Sequence, residues 1–192
     1  MKKIAVVEDE PITRMDICAM LEDLGFSVVG EAADGFDAIE LCRRTRPDVV
    51  LMDAKMPIFD GLAAAETICR DELAGCVVML TAFSDEDIVA RAAEAGVTGY
   101  LVKPIDRNKL LPTIEVAYAQ SCRLRESRQA AEKAQKSLRE DREIHKAQKL
   151  LAQRQNCSDT EAYEQMRRLA MNKRVPLYSI ARAVLEQEDA AR

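Results

Sequence analysis

The chain has 192 residues, 48% of them hydrophobic and 32% charged, with a formal net charge of −5. That size and balance fit one ordinary domain with about 70 residues to spare, and they exclude a disordered polymer. With no Trp and only 4% aromatics, a carbohydrate cleft or a multi-aromatic nucleic-acid platform is also disfavoured. The net charge hides an asymmetry. Residues 1–120 carry 22 acidic and 12 basic side chains, a net −10, whereas residues 121–192 carry 11 and 16, a net +5. An acidic front and a basic back imply two tasks; the back could face a polyanion or simply form a solvated helix surface.

The first apolar run, Ile4–Val7, stops at Glu8-Asp9-Glu10. It is shorter than the roughly 7–15 apolar residues of a secretory leader or the about 20 of a membrane span, so a cytoplasmic protein without membrane attachment is expected. Further short runs come at Phe26–Gly30, Val49–Met52, Val77–Leu80 and Tyr100–Val102. Each is partly β-branched and suits a strand buried on both faces. Helix-length segments separate them, with apolar residues three and four apart. These are Ile17, Met20, Leu21 and Leu24, then Ile88, Val89, Ala92 and Ala95, then Leu110, Leu111, Ile114 and Ala117. Pro11 opens the first helix, and Gly25 and Gly96 close the first and fourth. Five strand–helix units in this order predict an α/β fold over residues 1–120, a doubly wound five-stranded parallel sheet.

From Ser121 to Leu151 there is no Gly or Pro, and one long helix is expected to continue the fifth. Residues 121–143 form a linker helix. Positions 110, 114, 117, 121, 124, 128, 131, 135 and 138 keep a four-three spacing, apolar at six of the nine, which could make a weak coiled-coil seam. Residues 144–192 read as a small three-helix domain. Ser158-Asp159-Thr160-Glu161 is a capping box ahead of Ala162, Met166, Leu169 and Ala170. Pro176 precedes a last helix with Ile180, Ala181, Val184 and Leu185 on one face. The six cysteines have no C-x-x-C spacing and the lone His145 has no Cys nearby, so they read as small apolar side chains rather than a zinc site or disulfide framework.

Parallel sheets gather ligands at the carboxyl ends of their strands. Here the runs end in Glu8-Asp9, Asp53, Thr81 and Lys103. Three carboxylates on one edge repel each other unless a cation neutralises them, and hard oxygen ligands suit Mg²⁺. Asp53 could then act as a nucleophile toward phosphorus, with Mg²⁺ and Lys103 balancing the phosphoryl charge. No Walker-type nucleotide loop is present.

Val6-Val7-Glu8-Asp9-Glu10, Leu51-Met52-Asp53-Ala54-Lys55-Met56-Pro57, Thr81-Ala82 and Lys103-Pro104 resemble the receiver domain of two-component response regulators, a flavodoxin-like fold. The resemblance implies that Asp53 is the phosphoacceptor, with a sensor histidine kinase as donor. Glu8, Asp9, Asp53 and the backbone carbonyl of Lys55 would hold Mg²⁺. Thr81 would donate to the phosphoryl oxygen, Lys103 would pair with it, and Lys103-Pro104 would be cis. Tyr100 would turn inward with Thr81 as part of the switch. Such a domain is a switch, not an enzyme, with at most slow self-dephosphorylation.

The C-terminal segment resembles the ANTAR domain, the RNA-binding module of transcription antitermination regulators, on Ala147, Leu151, Ser158, Ala162, Tyr163, Arg167, Ala170, Met171, Leu177, Ile180 and Ala181. Members often read Ala-Lys-Gly-x-Leu-Met in the first segment, where this chain has Ala147-Gln148-Lys149-Leu150-Leu151-Ala152. The resemblance implies a homodimer that forms on phosphorylation and binds RNA hairpins in leader transcripts. Lys149, Arg154, Arg167, Arg168, Lys173, Arg174 and Arg182 are the candidate phosphate contacts. Tyr163 reads as core, and Tyr178 as the freer stacking candidate. The rivals are a DNA-binding regulator and a protein-interaction adaptor under the same receiver. Leu177 to Arg182 looks like the first helix of a helix-turn-helix, but only seven residues follow Leu185, among them Glu186, Glu188 and Asp189.

Overall fold

The computed structural model describes residues 1–57, 59–81 and 86–189, without the side chains of 86–89 and 188–189. Ala82 and the side chains of Ile88, Val89, Glu188 and Asp189, all used in the sequence reading, lie outside the described residues. The chain divides into two compact units, Met1–Glu126 and Ser127–Arg192.

In the first unit, strands and helices alternate: β1 (Lys3–Val7), α1 (Pro11–Asp23), β2 (Ser27–Ala32), α2 (Gly35–Thr45), β3 (Val49–Asp53), α3 (Gly61–Arg70), β4 (Cys76–Thr81), α4 (Glu86–Glu94), β5 (Gly99–Val102) and α5 (Arg107–Gln155). The sheet order is β2-β1-β3-β4-β5 and every neighbouring pair is parallel. Because strand side chains alternate between faces, unbroken apolar runs fill both. Ile4, Val6, Val49, Leu51, Val78 and Leu80 pack with Ile17 and Leu21 of α1 and Leu110 and Ile114 of α5. Ala5, Val7, Val50, Met52, Val77 and Met79 pack with Leu41 of α2 and Ala65 and Ile68 of α3. Gly25 ends α1 with φ at +82°, a conformation that a side chain would strain.

Helix α5 runs unbroken into the second unit, as its composition predicts. The four-three spacing along it serves two purposes. Leu110, Ile114, Ala117 and Ser121 are buried against the first unit, which removes them from the expected seam. Leu111, expected on the same apolar face, is exposed. Of the four-three positions, Leu124 and Leu138 are the large apolar groups left exposed, at 48% and 59%.

The second unit adds α6 (Asp159–Lys173) and α7 (Leu177–Asp189) to the end of α5. Its core is Ala147, Met166, Ala170, Ile180 and Ala181, flanked by Ile144, Leu151, Leu177, Val184 and Leu185. The capping box forms in full, with Ser158 and Glu161 each satisfying the other's backbone amide. Leu169 does not join this core. It is 44% exposed, because the buried stripe of α6 runs through Ala162, Met166 and Ala170. Cys42 and Cys76 are buried, and burial pushes both thiols up to about 12, which suits inert apolar packing.

Candidate functional site

Sheet register brings the strand ends together. Asp53 of β3 stands opposite Leu80, and Thr81 of β4 opposite Val102. The Lys103 amide then donates to the Thr81 carbonyl at 2.9 Å, which extends the register by one residue. The Lys103-Pro104 bond is cis. Thus Asp53, Thr81 and Lys103 are fixed by backbone pairing before any side-chain contact is considered.

The Lys103 ammonium lies 2.8 Å from Asp53 Oδ2 and 2.7 Å from Glu8 Oε2. The second Asp53 oxygen accepts from the Lys55 amide at 3.2 Å. Glu8, Asp9 and Asp53 each offer a carboxylate oxygen within 4.8 Å of the others. Glu8 is 1% exposed, Thr81 4% and Asp53 7%. Burial raises the pKa of Glu8 and the Asp53 charge adds to this, while the Lys103 ammonium pulls it back. For Lys103, burial opposes the ammonium, but the two carboxylates outweigh it and its pKa is raised.

This cluster fits a divalent cation on its own chemistry. Three carboxylates face one ammonium, so negative charge is left uncompensated. Glu8 Oε2 is buried and, although close to Lys103, is not aligned for a hydrogen bond. Every donor is a hard oxygen, the ligand type that Mg²⁺ prefers.

Three supporting residues were not singled out from sequence. Gly61 opens α3 against the Asp53 carbonyl, and a Cβ there would collide with that oxygen. Asp60 caps the same helix by accepting from the Leu62 amide at 2.9 Å. Arg14 donates to the Glu8 carbonyl at 2.6 Å and pairs with Glu31, bracing the β1 end. The Asp-Gly pair after Asp53 could have flagged Gly61, since it reads as a helix start; Arg14 had no such signal.

Tyr100 is 54% exposed. Beside it lies a cavity of about 500 Å³ lined by Thr81, Ala92, Val97, Thr113 and Val116 among others.

In the second unit the basic candidates Lys149, Arg154, Arg167, Arg168, Lys173, Arg174 and Arg182 are all exposed. They are not equivalent. Arg182 pairs with Glu186 at 2.8 Å and Arg167 with Glu164 at 3.7 Å, Arg168 donates to the Glu164 carbonyl, and Arg154 also has a partner. Lys149, Lys173 and Arg174 form no ion pair among the described residues. The two tyrosines reverse their expected places. Tyr163 is 37% exposed, whereas Tyr178 is half-buried and the Glu143 carboxylate of α5 holds its hydroxyl pKa above the ordinary value.

Comparison with known proteins adds sequence-wide likeness. The family model described as response regulator receiver domain matches residues 4–115, and that of the ANTAR domain matches residues 132–185. The transcriptional regulatory protein PdtaR of Mycobacterium tuberculosis is 36% identical over 185 residues, covering 96% of this chain and 90% of that protein. Among solved structures, a LuxR-family two-component response regulator from Aurantimonas sp. SI85-9A1 is 34% identical with a TM-score of 0.58, covering 62% of this chain and 86% of that one. The receiver domain of sensor histidine kinase PA1611 from Pseudomonas aeruginosa, crystallised with magnesium in its active-site cleft, is 32% identical with a TM-score of 0.56, covering 62% and 98%. Among the described residues, no helix is long and apolar enough to cross a membrane.

Proposed function

Because the chain belongs to the response regulators that join a receiver to an ANTAR domain, we propose that it is a transcription antiterminator switched by phosphorylation of Asp53. The observation that carries this reading is the Lys103 ammonium set between Asp53 and Glu8 at the strand ends, in a chain whose other unit is basic.

A phosphohistidine of a sensor kinase is the donor. An Asp53 oxygen attacks phosphorus as the bond to the histidine nitrogen breaks, leaving an aspartyl phosphate on Asp53. Lys103 balances the added charge, and the Thr81 hydroxyl donates to a phosphoryl oxygen. Glu8, Asp9, Asp53 and the Lys55 carbonyl would hold Mg²⁺, which supplies charge neutralisation to the phosphoryl oxygens when bound. The receiver is a phosphoacceptor switch rather than an enzyme, with at most slow self-dephosphorylation.

Thr81 and Tyr100 line the same cavity, so a shift of Thr81 toward the phosphoryl group leaves room for the Tyr100 ring to turn inward. The activated chain forms a homodimer through the receiver and the exposed part of α5. Pairing joins two weak RNA contacts into one stronger attachment on paired leader hairpins. The protein acts in the cytoplasm, where kinase and transcript meet it.

The test is retention of nucleic acid by purified protein from total cellular RNA and sheared genomic DNA, with and without beryllofluoride, using Asp53→Ala as control. Sequencing should find hairpin RNAs enriched only with the activated wild type. Retention of DNA would replace this reading with a DNA-binding regulator, and retention of neither with a protein-interaction adaptor.

A further inference from the structure

Helix α5 packs on the second unit's core through Ile144, Ala147 and Leu151. At 3.6 residues per turn, Leu138, Arg142, His145, Lys146 and Lys149 fall on the opposite side. These residues, with Asp141, line a shallow depression of about 430 Å³. Their side chains are exposed, and Leu138 is 59% so. Neighbouring cations on the helix are neutralised locally, Lys136 lying 4.0 Å from Glu140 and Arg139 3.3 Å from Glu143. Among the described residues, Arg142, Lys146 and Lys149 form no ion pair. Of this group the sequence reading had singled out only Lys149.

We propose that this face of α5 is an RNA contact in which one unpaired loop nucleotide seats its base in the depression and the stripe of cations holds the flanking phosphates. The inference rests on the RNA-binding reading above and assigns a place for it. Charge complementarity and chemistry select the occupant. Arg142 and Lys146 are one helical turn apart, about 6 Å along the axis, so each can serve a different phosphate of one strand. Leu138 and the His145 ring give a splayed base an apolar and aromatic floor. Asp141, which would repel a phosphate, suits a base instead, because a carboxylate accepts from an exocyclic amine such as that of cytosine. A purely phosphate-binding ridge would have no use for Asp141 or Leu138, and a double helix would not offer an unpaired base.

The test uses the full chain with beryllofluoride and a hairpin RNA pool of one fixed stem and a randomised loop, with affinity measured across salt concentrations. Arg142→Ala with Lys149→Ala should weaken binding by about tenfold or more and make the log–log salt dependence shallower by roughly 1 to 2. Lys133→Ala with Lys136→Ala removes the same charge elsewhere on α5 and should change affinity by less than about threefold. Circular dichroism confirms that both pairs keep the helical fold. Asp141→Asn should alter which loop sequences are retained while leaving the salt slope unchanged; unchanged loop preference would overturn the base contact. If the Arg142/Lys149 variant binds as the wild type does, the site is wrong although the antiterminator reading stands. If the wild type binds none of the pool, the RNA reading itself fails and this site falls with it. The same hairpin made as DNA should bind more weakly; equal binding would overturn the assignment to RNA.

Discussion

The two units of this chain solve different problems with different cores. The receiver unit fills both faces of a sheet with Leu, Ile, Val and Met, and its register places Asp53, Thr81 and Lys103 at adjoining strand ends. The second unit closes on alanines, with Met166 as its largest fully buried side chain, and keeps its basic groups on exposed helix surface. One unit concentrates charge in a buried cluster that backbone pairing fixes. The other spreads charge over separate exposed side chains, some held by a local pair such as Arg182 with Glu186 and others, such as Lys149 and Lys173, with no ion pair among the described residues. A substitution in the first should therefore act nearly all or none, and one in the second in small additive steps.

The sharpest break between them is Asp53→Ala. With the carboxylate paired to Lys103 removed, incorporation of phosphate from labelled acetyl phosphate should vanish, while far-ultraviolet circular dichroism stays that of the wild type. Residual labelling above about a hundredth of the wild type would mean that phosphate also enters elsewhere. Gly61→Ala probes the same rigidity from behind. A Cβ must displace the Asp53 carbonyl, and overpacking of this kind costs about 1–3 kcal/mol. Moving the nucleophile by about 1 Å can slow reaction by about 10²-fold, so labelling should fall by that order although Asp53 is intact.

Met166→Ala tests the opposite arrangement. Truncating a buried Met costs about 2–5 kcal/mol, a large share of what an alanine-rich core can supply. Thermal unfolding followed by circular dichroism should lose the transition of the second unit while acetyl phosphate labelling of Asp53 changes less than about twofold. A proportionate loss of labelling would show that the two units fold as one.

Much of this was legible in the sequence, for a physical reason. Strands buried on both faces leave unbroken apolar runs, and a parallel sheet puts whatever follows them on one edge; Glu8, Asp9, Asp53, Thr81 and Lys103 were found that way. What escaped depends on partners distant in the chain. The four-three spacing of α5 looks the same whether it meets its own sheet or a second copy, so Leu110, Ile114, Ala117 and Ser121 read as seam although they are core. Tyr178 looked free because Glu143 lies on another helix. The cations of α5 looked alike until local pairing separated Arg139 from Arg142.

Smaller effects follow from Glu8. Burial raises its pKa, so the folded chain holds the proton more tightly than the unfolded chain. That contribution is complete below the ordinary carboxylate pKa and is lost as pH rises through the folded value. At neutral pH the ionised, buried carboxylate is a cost that a divalent cation offsets. In chelator, the melting temperature of the wild type should therefore fall relative to Glu8→Gln as pH rises from about 4 to about 7. Mg²⁺ at a hundred times its dissociation constant should add about 2.7 kcal/mol near pH 7 and much less near pH 4, where protons compete. Equal stabilisation of Glu8→Gln by Mg²⁺ would remove Glu8 from the ligand set.

The smallest effect belongs to a single exposed cation, and it tests whether the second unit is additive at all. Lys173 has no ion pair among the described residues and is exposed at the end of α6. If it meets one phosphate, Lys173→Ala should weaken hairpin RNA binding only a few-fold, to the same degree for every loop sequence, and reduce the salt slope by about 1. Combined with Arg142→Ala and Lys149→Ala, the losses in free energy should sum, because separate point charges on a polyanion share no partner. A loss much greater than the sum would mean that these cations act as a preorganised cluster, and the contrast with the receiver would then lie in burial alone.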